Sequence, residues 1–278
     1  MSKKKVYIYQ AGKVGSSSIQ KFLEPLVVSS KIDEVYHVHL LSPDNIHQRM
    51  NELEANGLSR KEQQYGAWIS LGESIKVGDP RQNYFITLFR DPVERAISAI
   101  FQNLNFFNKD RLLIDNSHIF HLDRLQDIFL REWNNPRSNL FSWYQYDFVP
   151  FMGVTINHLG YDKTIGYGLS NVRLGKLLLI QFEKMEDKVL RKHLEKLLEI
   201  DLESEILVRK NISSEKSYSK AYKQAGMLKL PLEILEQIYM QDYVQYMYSL
   251  EMVDMFKKKW KLQEEETVIA KPIEVEYE

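Results

Sequence analysis

The chain of 278 residues has no cysteine, which excludes disulfides, thiolate metal sites and cysteine nucleophiles and fits a reducing compartment. Long hydrophobic runs are missing too. The basic tip "MSKKK" leads into only four apolar residues before Gln10, too few for a signal-peptide core, and no later segment approaches a membrane span. Charge of one sign is equally scarce: the formal net charge is -1, without the clustered basic excess of a nucleic-acid footprint. There is no internal repeat, no low-complexity block and no convincing linker. These absences predict a soluble, cytoplasmic protein with no transmembrane segment and no nucleic-acid partner, whose basic residues act locally. Oligomeric state is left open.

What is present suits an α/β fold. Hydrophobic residues make up 44% of the chain, enough to bury one large core or two small ones. Short apolar runs alternate with helical stretches, the signature of a mainly parallel sheet covered by helices. The spacing predicts strands at Val6 to Tyr9, Val35 to Leu40, Tyr84 to Phe89 and Leu177 to Phe182. The last, "KLLLIQF", lacks polar alternation and reads as a central strand buried on both faces. Helices are expected after the first and third strands, from Glu183 to Ile200, and as one or two helices between Pro231 and Trp260, where no internal glycine or proline interrupts. The aromatic-rich, weakly periodic stretch 107–168 reads as an insertion carrying the acceptor region. The C-terminal tail 264–278 is acidic, although its "TVIA" has the pattern of an edge strand.

Two motifs carry chemistry. The first, "AGKVGSSSIQ", joins the first strand to a helix, and Lys13, Gly15, Ser16, Ser17 and Ser18 form an anion site at a helix N-terminus, where backbone N–H groups lack intrahelical acceptors. It is no Walker A loop, because Lys13 precedes Gly15 rather than a terminal Ser or Thr, and no following apolar strand ends in a magnesium-binding carboxylate. The second, "YFITLFRDPVERAISAIF", is a strand ending in Arg90, then a helix opened by Asp91 as N-cap, Pro92 at the first position and Glu94 at the third. Arg90 leaves the strand at its carboxyl end, where open parallel sheets bind ligands, and Ser98 lies about two helical turns further on.

"KVGSS" resembles the 5′-phosphosulfate-binding loop of sulfotransferases that use 3′-phosphoadenosine 5′-phosphosulfate (PAPS), and the spacing of Arg90 and Ser98 is similar to that family's 3′-phosphate site. The resemblance covers residues 6 to 23 and 84 to 101. It implies a P-loop-like α/β domain over 1–263, PAPS as sulfate donor, no metal, and a hydroxyl acceptor. Lys13 is then catalytic, neutralising the oxygen between phosphate and sulfur, while Lys13, Gly15, Ser16, Ser17, Ser18, Arg90 and Ser98 bind the donor. "NLFSWYQYDFVPFMGVTI" and the following "GYG" resemble bacterial polysaccharide-type members, the capsular polysaccharide synthesis proteins, which implies a carbohydrate or polysaccharide precursor as acceptor. The alternatives are a P-loop-like nucleotide kinase and a non-catalytic phosphonucleotide-binding module.

A base must take the acceptor's proton, and histidine suits neutral pH. In "VYHVHLLSPDN", His37 and His39 point to one face of the second strand. The expectation is His39 as base with His37 second, against a reading in which both hydrogen-bond within the sheet. As a metal pair they lack a third ligand. Glu73, Asp79 and His118 are further carboxylate or imidazole candidates, and Glu183 either supports the site or is structural. In "RKNISSEKSYSKAYKQ", Lys210, Asn211 and Lys216 are placed either against an anionic group or on a solvated helix start.

Overall fold

The computed structural model describes residues 4–55, 62–107, 113–114, 119–135, 138, 141–202, 219–262 and 273–274. In chain order the elements are β1 (Lys5–Tyr9), α1 (Ser16–Val28), β2 (Glu34–Val38), α2 (Pro43–Ala55), α3 (Glu62–Val77), β3 (Asn83–Phe89), α4 (Pro92–Gln102), α5 (Leu104–Phe107), β4 (Ile119–Phe120) and α6 (Leu122–Asn134). There follow α7 (Val149–Met152), β5 (Tyr161–Asp162), β6 (Tyr167–Val172), β7 (Gly175–Gln181), α8 (Asp187–Leu198), α9 (Ser219–Ala225), α10 (Leu232–Tyr239), α11 (Asp242–Met247), α12 (Leu250–Trp260) and β8 (Ile273–Glu274). The chain divides into two units, Met1–Arg90 with Ser142–Arg209 and Asp91–Phe141 with Lys210–Glu278.

The first unit is a mixed, mostly parallel six-stranded sheet in the order β2-β1-β3-β7-β6-β5. β2, β1, β3 and β7 run parallel, while β6 and β5 are antiparallel. Period-two alternation sorts the side chains. Val6 and Ile8 of β1, with Ile86, Leu88, Leu178 and Ile180, face a core closed by Phe22, Leu23 and Leu26 of α1 and Leu190, Leu194 and Leu197 of α8. Tyr9, on the other side of β1, meets Trp143, Phe148 and Phe151 at ring separations of 5.1, 6.1 and 5.6 Å. β7 is an interior strand buried along nearly its whole length, as its unbroken apolar run predicts.

The observed strands follow the expected ones closely, with β2 ending at Val38 instead of Leu40. The antiparallel pair β5 and β6 was not anticipated, because β5 has two residues and β6 carries a glycine. That glycine has a packing reason: a Cβ at Gly168 would lie 2.5 Å from the Gly160 carbonyl oxygen, so only glycine allows the strands this approach. Part of the stretch read as an insertion thus belongs to the central sheet. The helix expected from Glu183 begins at Asp187, after a 3₁₀ turn over Phe182–Lys184.

In the second unit, Asp91 is fully buried at the N-cap of α4 and accepts three bonds. They come from Val93 N–H (3.1 Å), Tyr239 Oη (2.7 Å) and Trp260 Nε1 (2.8 Å). Glu94, expected to complete a capping box, pairs with Lys259 at 2.9 Å. The apolar face of α4 (Val93, Ala96, Ile97, Ile100) is buried, and Phe129 of α6 packs edge-on against Phe141 at 5.3 Å. The region Pro231 to Trp260 forms three helices rather than one or two. Gln241 and Ser249 take extended conformations at the breaks, and Ser249 Oγ accepts Met252 N–H at 3.4 Å. Residues 267–270, the "TVIA" edge strand, lie outside the described residues, whereas β8 pairs antiparallel with β4.

Removing the Asp91 carboxylate leaves a buried phenol, a buried indole N–H and a helix start without their acceptor. Asp91→Ala is expected to lower the unfolding free energy by about 3 kcal/mol, and Tyr239→Phe, which removes one donor, by about 1 kcal/mol. Denaturant titration of both variants checks the ranking.

Candidate functional site

The strand order places β1 between β2 and β3, so the chain leaves β1 toward one side and returns to the other. That reversal puts a topological switch point at the strand carboxyl ends, where the loop after β1 lies. Gly12, Lys13 and Gly15 have φ of 85°, 63° and 82°, a left-handed run that costs a lysine about 1–2 kcal/mol and glycine almost nothing. Gly15 is constrained twice, since a Cβ there would lie 2.5 Å from the Phe182 ring. Helix α1 starts from this glycine with no side-chain cap and no acidic residue in its first turn. Its N-terminal dipole therefore faces the loop without a built-in counter-charge.

Arg90, at the tip of β3, reaches the same loop. Its Nη1 donates to the Lys13 carbonyl at 3.2 Å, and its guanidinium lies 4.8 Å from the centre of the Phe182 ring. Phe182, just after β7, thus wedges between the Gly15 backbone and the Arg90 cation and fixes both.

Gln10 organises the opposite wall. It is fully buried directly after β1; its side-chain oxygen accepts Gly12 N–H, and its carboxamide nitrogen lies 2.9 Å from both Ser16 Oγ and His37 Nε2. Ser16 Oγ is also 2.9 Å from His37 Nε2, and His37 Nδ1 is 2.9 Å from Gln20 Oε1. Because the Gln20 oxygen only accepts, the network assigns the proton to Nδ1, so Nε2 must accept from Ser16 and Gln10. Burial, aided by the neighbouring His39, lowers the His37 pKa to about 4, so the ring is neutral at neutral pH. Its lone pair is used inside the fold.

His39, the residue after β2, stands differently. Its Nδ1 lies 3.0 Å from the Gln10 carbonyl oxygen, which assigns that nitrogen as the donor. The Gln10 carboxamide nitrogen is 3.2 Å from the same atom, the longer contact. The two histidine rings are 5.1 Å apart on one face, as the alternation predicts. Trp143 Nε1 donates to the His39 carbonyl at 2.6 Å. The segment beyond is clamped by buried Asp147, which accepts from Tyr9 Oη, Leu41 N–H (2.9 Å), Ser42 N–H (3.4 Å) and Asn45 Nδ2 (2.8 Å). Desolvation still pushes that carboxyl up to about 6.

The structure thus brings Lys13, Gly15, Ser16, Arg90, His37 and His39 together at the sheet's carboxyl edge, with Ser17 and Ser18 on the first turn of α1. Ser98 lies half-buried on α4 in the second unit, eight residues beyond Arg90. Two residues stand elsewhere than a base would need. Glu73 is exposed on α3 and pairs with Lys76, and Asp79 caps the turn before β3, at the amino end of that strand. Glu183 is exposed beside Tyr161, whose ionisation it opposes. His118, Lys210, Asn211 and Lys216 lie outside the described residues. Sequence reasoning missed Gln10, Gln20, Asp147 and Phe182. Only Gln10 gave a signal, as the polar residue that ends the apolar run "VYIY". Among the described residues no group of three or more His, Asp or Glu could hold a metal ion, and no helix is long and apolar enough to cross a membrane.

The class this defines is a mixed α/β protein with a mostly parallel six-stranded sheet, in which a left-handed glycine loop precedes the first helix and Arg90 at the tip of β3 donates to that loop. Comparison with known families is more specific: residues 105–249, just over half of the chain, match the family described as "Putative capsular polysaccharide synthesis protein" (NKWYS). The chain belongs to that family. Neither a search of curated proteins nor one of solved structures found a match.

The shifts at His37 and Asp147 oppose each other in their pH dependence. His37 is held below the unfolded value of 6.5, so the stability tied to its neutral form is present above that pH and is lost as pH falls toward 4. Asp147 is held above its unfolded value, so its contribution grows as pH falls through 6. Relative to the wild type, His37→Gln should lose less stability between about pH 7 and pH 4 and Asp147→Asn should lose more, measured as unfolding free energy at several pH values.

Proposed function

We propose that this chain is a sulfotransferase with a P-loop-like site, moving a sulfuryl group from PAPS to a hydroxyl of a carbohydrate or polysaccharide precursor. The observation that carries the reading is the Arg90 guanidinium hydrogen-bonded to the Lys13 carbonyl. It joins the two motifs that the resemblance assigns to the donor's phosphates. The uncapped start of α1 and the left-handed glycines fit an anionic group, since a Cβ or a carboxylate there would oppose it. The family description supports a glycan acceptor.

In this reading PAPS supplies the sulfuryl group, and the chain supplies charge and proton acceptance. Lys13, with the loop and first-turn N–H groups, counters negative charge growing on the leaving phosphate oxygen. The Arg90 fork holds the 3′-phosphate. His39 Nε2 takes the proton of the acceptor hydroxyl as the new O–S bond forms, and Gln10 holds the ring in that tautomer. His37, already neutral and hydrogen-bonded on both nitrogens, positions Ser16 rather than titrating.

Calorimetric titration with PAP, the desulfated product, is the first test. Wild-type protein should bind it without magnesium, and Arg90→Ala should weaken binding at least about tenfold through loss of a bidentate charge contact. Lys13→Ala should cut radiolabelled sulfate transfer from PAPS by about a hundredfold or more. Failure of the wild type to bind PAP overturns the proposal, as does magnesium-dependent ATP binding in its place. PAP binding with no transfer across a glycan panel points instead to a phosphonucleotide-binding module.

A further inference from the structure

Of the chain's four tryptophans, three have committed indole N–H groups: Trp133 to Gln237 at 3.3 Å, Trp143 to the His39 carbonyl and Trp260 to Asp91. Trp68 does not, and among the described residues its N–H pairs with none. Its position makes that unusual. On α3 it shares the inward stripe with Tyr65, Gly72 and Ile75. Tyr65 and Ile75 are buried, and Gly72 is pressed so closely to the loop after β2 that a Cβ would lie 2.8 Å from the Leu41 carbonyl oxygen. Trp68, between them, stays partly exposed. The indole thus sits on the packed side of α3 and still meets solvent.

What it borders is His39. The Trp68 and His39 rings are 6.0 Å apart and perpendicular, at 89°. Tyr65 supports the indole at 5.6 Å. Exposed Gln64, one turn back on the same helix, offers a carboxamide. A partly exposed indole whose N–H pairs with no described residue, a carboxamide one turn away and an imidazole 6.0 Å off are groups that suit a sugar ring. The apolar C–H face of a pyranose stacks on the indole while its rim hydroxyls seek polar partners.

We propose that Trp68 is the acceptor platform: a pyranose ring stacks on its indole so that one ring hydroxyl faces His39. The proposal rests on the sulfotransferase reading for the role of His39 and names the residue that makes the acceptor a glycan rather than any alcohol. The bland alternative is that Trp68 only shields the imidazole from water.

The experiment separates these outcomes, and its binding arm does not depend on turnover. Cellotetraose and a glucuronic-acid-containing tetrasaccharide are titrated into full-length protein while the Trp68 indole N–H resonance, assigned by its absence in Trp68→Phe, is followed by NMR. PAP affinity of the same samples is measured in parallel. At least one sugar should shift that resonance and show saturation transfer from the indole. Trp68→Ala should abolish the contact and raise the acceptor KM about tenfold or more, leave PAP affinity unchanged within about twofold, and affect kcat less. Trp68→Phe, which keeps an aromatic face but lacks the N–H, should fall between. No shift with either sugar, or a Trp68→Phe KM equal to wild type together with no saturation transfer, overturns the platform even if PAP binds normally. Loss of PAP binding by the wild type, with the sugar contact intact, instead overturns the sulfotransferase reading and leaves the platform standing.

Discussion

The site depends on one buried amide. Gln10 comes directly after β1, where the backbone would otherwise pass from sheet to loop with nothing to hold its direction. Its side chain takes Gly12 N–H and donates toward Ser16 and His37, while its main-chain oxygen holds His39 Nδ1. A single residue thereby ties the loop, the first turn of α1 and the end of β2 into one hydrogen-bonded body. Such a network is rigid only while every member is satisfied, because each unpaired polar group in a desolvated place costs more than a neutral hydrogen bond contributes. That condition explains why two neighbouring histidines take different roles. His37 is saturated by Ser16, Gln10 and Gln20, and burial keeps it neutral. His39 is held through Nδ1 by the Gln10 main-chain oxygen.

Strain and support are arranged around this network. Lys13 holds a left-handed conformation that a lysine avoids, and such strain persists only where the surroundings over-determine it. Here they do. Phe182 fills the space that a side chain at Gly15 would need, and Arg90 bonds the carbonyl of Lys13 itself. Behind the opposite wall, Asp147 gathers Tyr9, Asn45 and two backbone N–H groups, so the segment carrying His39 is anchored to the aromatic face of the sheet. The carboxyl at Asp147 remains hard to ionise despite those donors, a measure of how dry that face is.

Much of the fold was legible in the sequence, for reasons that differ by element. β1, β3 and β7 were readable because unbroken apolar runs in a parallel sheet are buried on both faces. The start of α4 was readable because Asp91 and Pro92 are local signals with local causes. The pair β5 and β6 was not, since a two-residue strand has no period and Gly168 serves a contact with residue 160 that only the folded chain creates. Three helices instead of one or two between Pro231 and Trp260 went unread for a related reason: Gln241 and Tyr248, at the breaks, are not helix breakers by type.

The sequence by itself determined where the strand tips and helix starts fall, and with them the short list Lys13, Gly15, Ser16, Arg90, His37 and His39, because periodicity and capping act over a few residues. Tertiary structure alone decided how those residues relate. It set the Arg90 fork on the Lys13 carbonyl, occupied the His37 lone pair with Ser16, and left Trp68 partly open beside His39. Those relations join segments tens of residues apart, and they follow from the sheet order β2-β1-β3-β7, which no local pattern encodes.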